Sequence, residues 1–303
     1  MEFGLRIPPR QFKMPSQDRD PGTQRVLLHP FTAAALMFEQ HAEIMEHREV
    51  LPGTHLLTLR EPGIARSARP GQFVMLKTGD GLDPLLRRPF SICGSIQEDA
   101  FLLLYRVVGR GTKGLARRSS AEPLRVLGPL GNGFQYRRAS PPLLLVGGGI
   151  GLAPLFFLAQ TLSQEAGGQP AAFLAGFSTA GEVLESGIVP GAKGMEIATD
   201  DGSAGHCGPV TDLLEARLQD RDPAGRAGTV FACGPSAMLK KVAEISARAG
   251  VDCQVSLEAA MACGLGACLG CAVKAAEGGD AAYLRVCREG PVVPAGAVDW
   301  GAV

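Results

Sequence analysis

Four cysteines near the C-terminal end, Cys263, Cys268, Cys271 and Cys287, are spaced C-x4-C-x2-C-x15-C. The first three lie in Met-Ala-Cys-Gly-Leu-Gly-Ala-Cys-Leu-Gly-Cys (261–271), where glycines at 264, 266 and 270 allow a tightly curled loop. Plant-type [2Fe–2S] clusters use this spacing: four thiolates hold two irons, and backbone N–H groups must point at the sulfurs. A structural zinc site is the competing reading. Zinc ribbons favour paired C-x2-C knuckles, whereas this chain has one such pair and all five of its histidines lie at or before residue 206. The spacing favours the cluster, and with it one-electron chemistry.

Three further groups of residues suit anionic or redox ligands. Gly147-Gly148-Gly149-Ile150-Gly151 follows an apolar run and precedes a helix-compatible one. A helix N-terminus there would favour an anion, and glycines would let a pyrophosphate approach the backbone. The run departs from the G-x-G-x-x-G/A fingerprint, so a tight turn without a ligand stays open. Cys233-Gly234-Pro235 closes a second apolar run, and two glycine-bearing strand ends fit a nucleotide crossing the carboxyl edge of a parallel sheet. Arg87-Arg88-Pro89-Phe90-Ser91-Ile92 joins a guanidinium able to grip a phosphate bidentately to a hydroxyl three residues on. Along a strand, 88 and 91 face opposite sides unless Pro89 bends the chain. A plain surface arginine pair is the alternative.

The elements that must position these groups fall into distinct textures. Residues 1–40 are polar and punctuated by proline, and predict an extension, disordered, with one short apolar stretch at Phe31–Phe38. From 41 to 138, short runs at Leu56–Leu59, Gln72–Lys77 and Phe101–Val108, broken by Gly and Pro, predict a small antiparallel β-barrel. From 139 to 250 the pattern alternates: strands at 142–146, Ala171–Phe177, Met195–Ala198 and Thr229–Cys233, with helices at Leu155–Glu165, Val210–Leu218 and Ser236–Ala249. That alternation predicts a Rossmann-like, doubly wound parallel sheet. Residues 251–303 are too poor in apolar side chains for a core of their own, so a metal is expected to organise them. The fold class is thus multidomain, β plus α/β.

Composition narrows the function classes. Lys+Arg and Asp+Glu balance at 30 each in 303 residues, which gives no electrostatic case for nucleic acid or an anionic membrane. No apolar run reaches the roughly 20 residues of a membrane span, and the N-terminus lacks a signal-like apolar core. Eight cysteines, four of them cluster-spaced, argue for a reducing cytoplasm over a secreted disulfide scaffold.

Taken together, these motifs carry a resemblance. Arg88-Pro89-Phe90-Ser91, Tyr105-Arg106-Val107, Gly111-Thr112 and Gly128–Phe134 resemble the flavin-binding half of the ferredoxin–NADP reductase superfamily. Gly147–Pro154 and Cys233-Gly234-Pro235 resemble its nicotinamide-binding half. The cysteine tail, through Arg285-Val286-Cys287, Gly290-Pro291-Val292 and Trp300, is similar to one branch, the electron-transfer subunits of type B dihydroorotate dehydrogenases. The likeness covers about residues 41–303, with one departure: Ala259-Ala260 stand where that branch has charged residues before Met-Ala-Cys.

The resemblance implies FAD across the barrel, with Arg88 on its pyrophosphate and Ser91 at the isoalloxazine edge. Tyr105, Arg106 and Val107 would flank the ring and ribityl chain, and Gly111 and Thr112 would add phosphate contacts through backbone and hydroxyl. NAD would meet the 147–154 loop, with Cys233 near the nicotinamide, although a small buried hydrophobe accounts equally for Cys233. A flavin exchanges one or two electrons, so it belongs between a hydride carrier and a one-electron cluster. The implied partner is an FMN-containing catalytic subunit that oxidises dihydroorotate, in a 2+2 heterotetramer serving pyrimidine biosynthesis. NAD is preferred over NADP because no arginine stands near Gly176–Glu182 in sequence; Glu182 would accept a ribose hydroxyl or simply be solvated. Asp200–Ser203 and His206 form a polar loop that would close on the dinucleotide, with a solvated histidine as the plainer account of His206. Two rivals remain: a small flavin subunit of a ferredoxin–NAD(P) oxidoreductase or hydrogenase, and a non-catalytic interaction subunit that keeps the fold without flavin.

Overall fold

The computed structural model describes residues 39–79, 81, 83–136, 143–164, 172–219, 228–278 and 281–303. The expected extension, but for its last two residues, and the apolar stretch Phe31–Phe38 lie outside them.

Six antiparallel strands close a barrel: β1 (Glu39–Leu51), β2 (Thr54–Arg60), β3 (Phe73–Leu76), β4 (Arg88–Ile96), β5 (Ala100–Arg106) and β6 (Pro123–Leu130), in the order β1-β2-β5-β4-β3-β6. Two short helices, α1 (Pro62–Ser67) and α2 (Arg110–Leu115), fill its connections. Alternation on β5 divides its side chains between two cores. Phe101, Leu103 and Tyr105 enter the barrel with Leu57, Val74 and Phe90. Leu102 and Leu104 pack outward with Leu155 and Phe156. Both faces of β5 are buried, which is why it reads as an unbroken apolar run.

The second layer is a seven-stranded sheet of β7 (Leu143–Gly148), β8 (Ala172–Phe177), β9 (Met195–Thr199), β10 (His206–Cys207), β11 (Thr229–Cys233), β12 (Asp252–Ser256) and β15 (Val292–Pro294). Its order is β10-β9-β8-β7-β11-β12-β15, parallel except where β15 runs against β12. Helices α3 (Ala153–Gln164), α4 (Val210–Gln219) and α5 (Ser236–Ala249) connect its strands. Helix α5 stops where Gly250 takes φ +67° and its N–H reaches the carbonyls of Ala247 and Ser246, a left-handed cap that suits glycine. Strands β13 (Ala272–Lys274) and β14 (Tyr283–Arg285) form a separate hairpin in the cysteine segment.

The expected barrel, parallel sheet and cysteine-rich tail are all present. The sheet also takes in β12 and β15, so its hydrogen bonding runs beyond residue 250 on both sides of the cysteine loop. That loop shares its core with the rest: Cys271, Val286 and Cys287 pack in one buried cluster with Phe73, Met75 and Leu130 of the barrel and Val255 of the sheet. Among the described residues no helix is long and apolar enough to cross a membrane.

Candidate functional site

The cysteine loop forms a cradle of thiols with N–H groups aimed inward. The Cys263 sulfur accepts from the N–H groups of Leu265 and Cys268, both at 3.4 Å. The Cys287 sulfur accepts from Gly266 at 3.1 Å, and Cys271 and Cys287 bring their sulfurs to 3.2 Å. Gly266 has φ +77°, where a side chain is strained, and its N–H is one of the inward donors. Burial works to raise the Cys263 thiol, but the N–H groups of Leu265, Cys268 and Ala267 prevail and bring it down to about 6. The ligating thiolate is therefore the favoured form there at neutral pH. Burial and the neighbouring Cys271 push Cys287 up to about 12. Tetrahedral zinc needs four ligands round one ion, whereas a two-iron cluster spreads its four thiolates over two irons. The residues fit the cluster.

At the mouth of the barrel, Arg88 opens β4 and is half-buried. The register against β3 runs unbroken from Leu76↔Arg88 to Phe73↔Ser91, so Pro89 introduces no bend and Arg88 and Ser91 keep opposite orientations. Arg88 Nη1 donates to the carbonyls of Leu86 (2.8 Å) and Arg87 (3.2 Å). A Cβ on Gly111 would meet Arg88 Nε at 3.0 Å and Thr78 Oγ1 at 3.2 Å. Thr78 is 2% exposed, and its hydroxyl has no hydrogen-bond partner. Gly111 thus packs closely on Arg88 and Thr78, and an orphaned hydroxyl beside an arginine is chemistry that fits a flavin pyrophosphate.

Two expectations for this region change. The Tyr105 ring lies inside the barrel, 3% exposed, and its hydroxyl bonds His47 Nε2 at 2.9 Å while His55 stacks on the ring with centroids 5.4 Å apart. A ligand on the barrel surface can meet residue 105 through its backbone only. The Thr112 hydroxyl accepts from the N–H groups of Val108 (2.9 Å) and Gly109 (3.1 Å) and donates to the Gly109 carbonyl. It is committed to starting α2, where free N–H groups need a partner, so a phosphate contact by this hydroxyl is not supported. Arg106, by contrast, is exposed, while Val107 is partly buried against the barrel-interior cluster.

The two glycine-bearing strand ends sit side by side, Gly147 opposite Cys233. A Cβ on Gly151 would lie 2.6 Å from Gly234 Cα, and one on Gly148 would lie 3.0 Å from Pro235 Cδ. Close packing of the strand ends therefore demands these glycines before any ligand does. Gly149 differs: it has φ +53° and nothing within 4 Å of a Cβ position, so it faces open space at the start of the turn Gly149–Leu152 leading into α3. A dinucleotide phosphate fits that space. Cys233 is 3% exposed, and burial, then the Glu258 carboxylate, push its thiol up to about 12 against a hydrogen bond from Ser256. It keeps its proton at neutral pH and is no nucleophile.

At the ends of β8 and β9 the polar loops are tied together. Ser203 Oγ accepts from the Ala180 N–H at 2.7 Å, and Asp201 holds Ser203 through its N–H (2.9 Å) and hydroxyl (2.5 Å). His206 stands apart near Asp212, at 3.5 Å. Glu182 accepts from Ser178 N–H at 3.2 Å and pairs with Arg106 of the barrel at 3.1 Å. An arginine does stand beside this turn, contrary to the sequence expectation, because the fold delivers it from 76 residues away. Thr78 and the Arg106–Glu182 pair escaped sequence reading, since no local motif marks either.

Comparison with known proteins fits this arrangement. Residues 258–299 match the family model described as the iron-sulfur cluster binding domain of dihydroorotate dehydrogenase B. A dihydroorotate dehydrogenase B (NAD(+)) electron transfer subunit from Desulforamulus reducens is 38% identical over 86% of this chain and 97% of its own length. The chain belongs to this family. The subunit from Bacillus caldolyticus is 39% identical over 84% of this chain and 96% of that protein. Among solved structures, one of an NADH-dependent reduced ferredoxin–NADP oxidoreductase superposes with TM-score 0.73 at 27% identity, covering 86% of this chain and 90% of that one. Phthalate dioxygenase reductase shares the fold at TM-score 0.57 and 17% identity, over 82% of this chain and 77% of that one. Family membership makes this chain an electron-transferring oxidoreductase component, and the sites described fit FAD, an iron–sulfur cluster and NAD.

Proposed function

We propose that this chain carries electrons between NAD and the catalytic subunit of a dihydroorotate dehydrogenase in pyrimidine biosynthesis. The cysteine cradle carries the reading: backbone N–H groups aim at the sulfurs of Cys263, Cys271 and Cys287, and the loop packs directly on the barrel through Met75 and Leu130. When bound, the nicotinamide would exchange hydride, the flavin one or two electrons and the cluster one. Cys263, Cys268, Cys271 and Cys287 would ligate iron. Arg88, helped by Thr78, would hold the flavin pyrophosphate, and residues 105–107 would line the ring through their backbone. Gly149 and the start of the following helix would receive the dinucleotide phosphate. Cys233 would present a protonated Sγ beside the nicotinamide and take no part as a base.

In this scheme residues 1–40 form an extension, 41–138 the flavin domain, 139–250 the nicotinamide domain and 251–303 the cluster module. The partner is an FMN-containing subunit in a cytoplasmic 2+2 heterotetramer, where dihydroorotate itself is oxidised. An anaerobic NADH titration of the purified chain, followed by optical and EPR spectra, tests the relay. Bleaching of a flavin band with growth of a reduced [2Fe–2S] signal is expected. Iron and flavin without any response to NADH would overturn the nicotinamide assignment, and neither cofactor would overturn the relay. Cys268→Ser should cost the cluster while flavin stays bound. Loss of flavin with iron retained would refute the assignment of sites to modules.

A further inference from the structure

The turn after β8 carries a charge arrangement that electron transfer alone does not require. Glu182 ends the 3-10 turn Ala180–Glu182, directly after the second strand of the β7–α3–β8 unit. In doubly wound sheets the carboxylate that meets the adenosine ribose stands in this region, and an arginine there accommodates a 2′-phosphate instead. Here both occur, and they neutralise each other. One Glu182 oxygen accepts from Ser178 N–H at 3.2 Å, which fixes the carboxylate on the turn, and the other takes Arg106 Nη2 at 3.1 Å. The turn is anchored again through Ser203, whose Oγ accepts from Ala180 N–H and whose own position Asp201 sets. Arg106 comes from the last residue of β5, in the barrel. The side chains of Arg106 and Glu182 are 43% and 30% exposed, so a ligand can reach both.

We propose that the Arg106–Glu182 pair sets the selectivity of this chain for NAD over NADP. This inference rests on the reading that a dinucleotide crosses the carboxyl edge of the sheet. Glu182 engages the guanidinium that would otherwise grip a 2′-phosphate, and it sets its own negative charge against that phosphate. The selecting element therefore spans two layers of the fold. Neutralising Glu182 leaves Arg106 beside the ribose with a free planar fork, the geometry that binds phosphate bidentately. Removing Arg106 as well deletes the new phosphate partner.

The test compares binding of adenosine 5′-monophosphate with adenosine 2′,5′-bisphosphate, which differ by the 2′-phosphate alone. Calorimetry on the FAD- and cluster-loaded chain reads affinity without turnover. The native protein should favour the monophosphate. Glu182→Gln should shift the affinity ratio toward the bisphosphate by roughly 10- to 100-fold, the value of a charge-assisted hydrogen bond or two. The double variant Glu182→Gln/Arg106→Gln should lose that gain. An unmoved ratio in Glu182→Gln, or a gain that survives in the double variant, would overturn the role of the pair while leaving nucleotide binding intact. Failure of the native protein to bind either nucleotide would overturn the sheet-edge reading and this proposal with it.

Discussion

Gly151 and Gly149 lie two residues apart in the same glycine run, yet alanine should harm them in different ways. A Cβ on Gly151 would lie 2.6 Å from Gly234 Cα, 2.7 Å from Gly234 N and 2.8 Å from the Cys233 carbonyl carbon. Carbon atoms prefer about 3.5 Å or more, so the backbone must retreat by about 0.9 Å. It is poorly able to do so, because β7 and β11 are hydrogen-bonded neighbours with Gly147 opposite Cys233. All three obstructing atoms are backbone, which places Gly151→Ala near the upper end of overpacking costs, about 3 kcal/mol. For a chain of this size that lowers Tm by about 5 °C.

Gly149→Ala meets nothing within 4 Å, and its cost is the left-handed φ of +53°, about 1 kcal/mol. Its methyl group would instead enter the open space proposed for the dinucleotide, weakening NADH binding by roughly tenfold or more. Thermal unfolding followed by near-UV circular dichroism, with NADH titrations by fluorescence on the same samples, separates the two effects. A Tm for Gly151→Ala matching the native protein, or a larger Tm loss in Gly149→Ala, would refute the packing argument. Native NADH affinity in Gly149→Ala would remove the loop from the nucleotide site.

Two further expectations follow from buried polar groups. Gln160 of α3 bonds Ser95 of β4 twice, accepting its N–H at 3.0 Å and donating to its carbonyl at 2.7 Å; Gln160→Leu should cost about 1–3 kcal/mol by denaturant titration, because it leaves both Ser95 groups unpaired, and a cost near zero would show that water replaces the clamp. The Cys233 thiol is pushed up to about 12 by burial, so its stabilising contribution is present below about pH 8.5, where the unfolded thiol is also protonated, and is lost as pH rises toward 12. Stability should fall by about 1.4 kcal/mol per pH unit for this thiol across that window, and urea titrations of Cys233→Ala should have a correspondingly shallower alkaline slope; an identical slope would place the ionisation elsewhere.

What sequence made legible follows from where apolar side chains are obliged to cluster. Strand β11 and helix α5 fall at the bounds expected, Thr229–Cys233 and Ser236–Ala249, because a buried parallel strand is continuously apolar and Gly-Pro separates it from the helix. The cysteine segment pointed to iron–sulfur chemistry through its spacing, and residues 258–299 match an iron–sulfur cluster binding domain. Strand β1 gave no such signal: of its 13 residues, Ala42 and Ile44 are the fully buried ones, and charged side chains crowd the remainder. Ion pairs to residues distant in sequence, such as Arg87–Glu39 at 2.8 Å and Arg60–Glu43 at 3.0 Å, accompany it, and these leave no local pattern. The same holds at the site. Whether Tyr105 faces the barrel interior depends on strand parity and closure, and Arg106 finds Glu182 only after two layers have packed.

The packing of the cysteine segment bears on how three redox sites can act as one. Residues 258–299 contribute too few buried side chains for an independent core, and those they do contribute, Cys271, Val286 and Cys287 among them, pack with barrel strand β3 and sheet strand β12. A Cβ on Gly264 would stand 2.6 Å from Met75 Cγ, so the cysteine loop lies against the barrel with no side chain between. Asn132 completes the joint: its Nδ2 donates to the carbonyls of Arg288 (3.2 Å) and Glu289 (2.9 Å), and its N–H donates to Gly290 O at 2.7 Å. All three acceptors follow Cys287 directly. The segment holding Cys287, the proposed last cluster ligand, is thus fixed by a residue at the end of the barrel, and the adjoining Val292–Pro294 is paired into the sheet. Neither the cluster cradle nor the proposed flavin face can shift without straining this joint, and the Gln160 clamp and the Arg106–Glu182 pair tie the proposed nicotinamide edge to the barrel in turn.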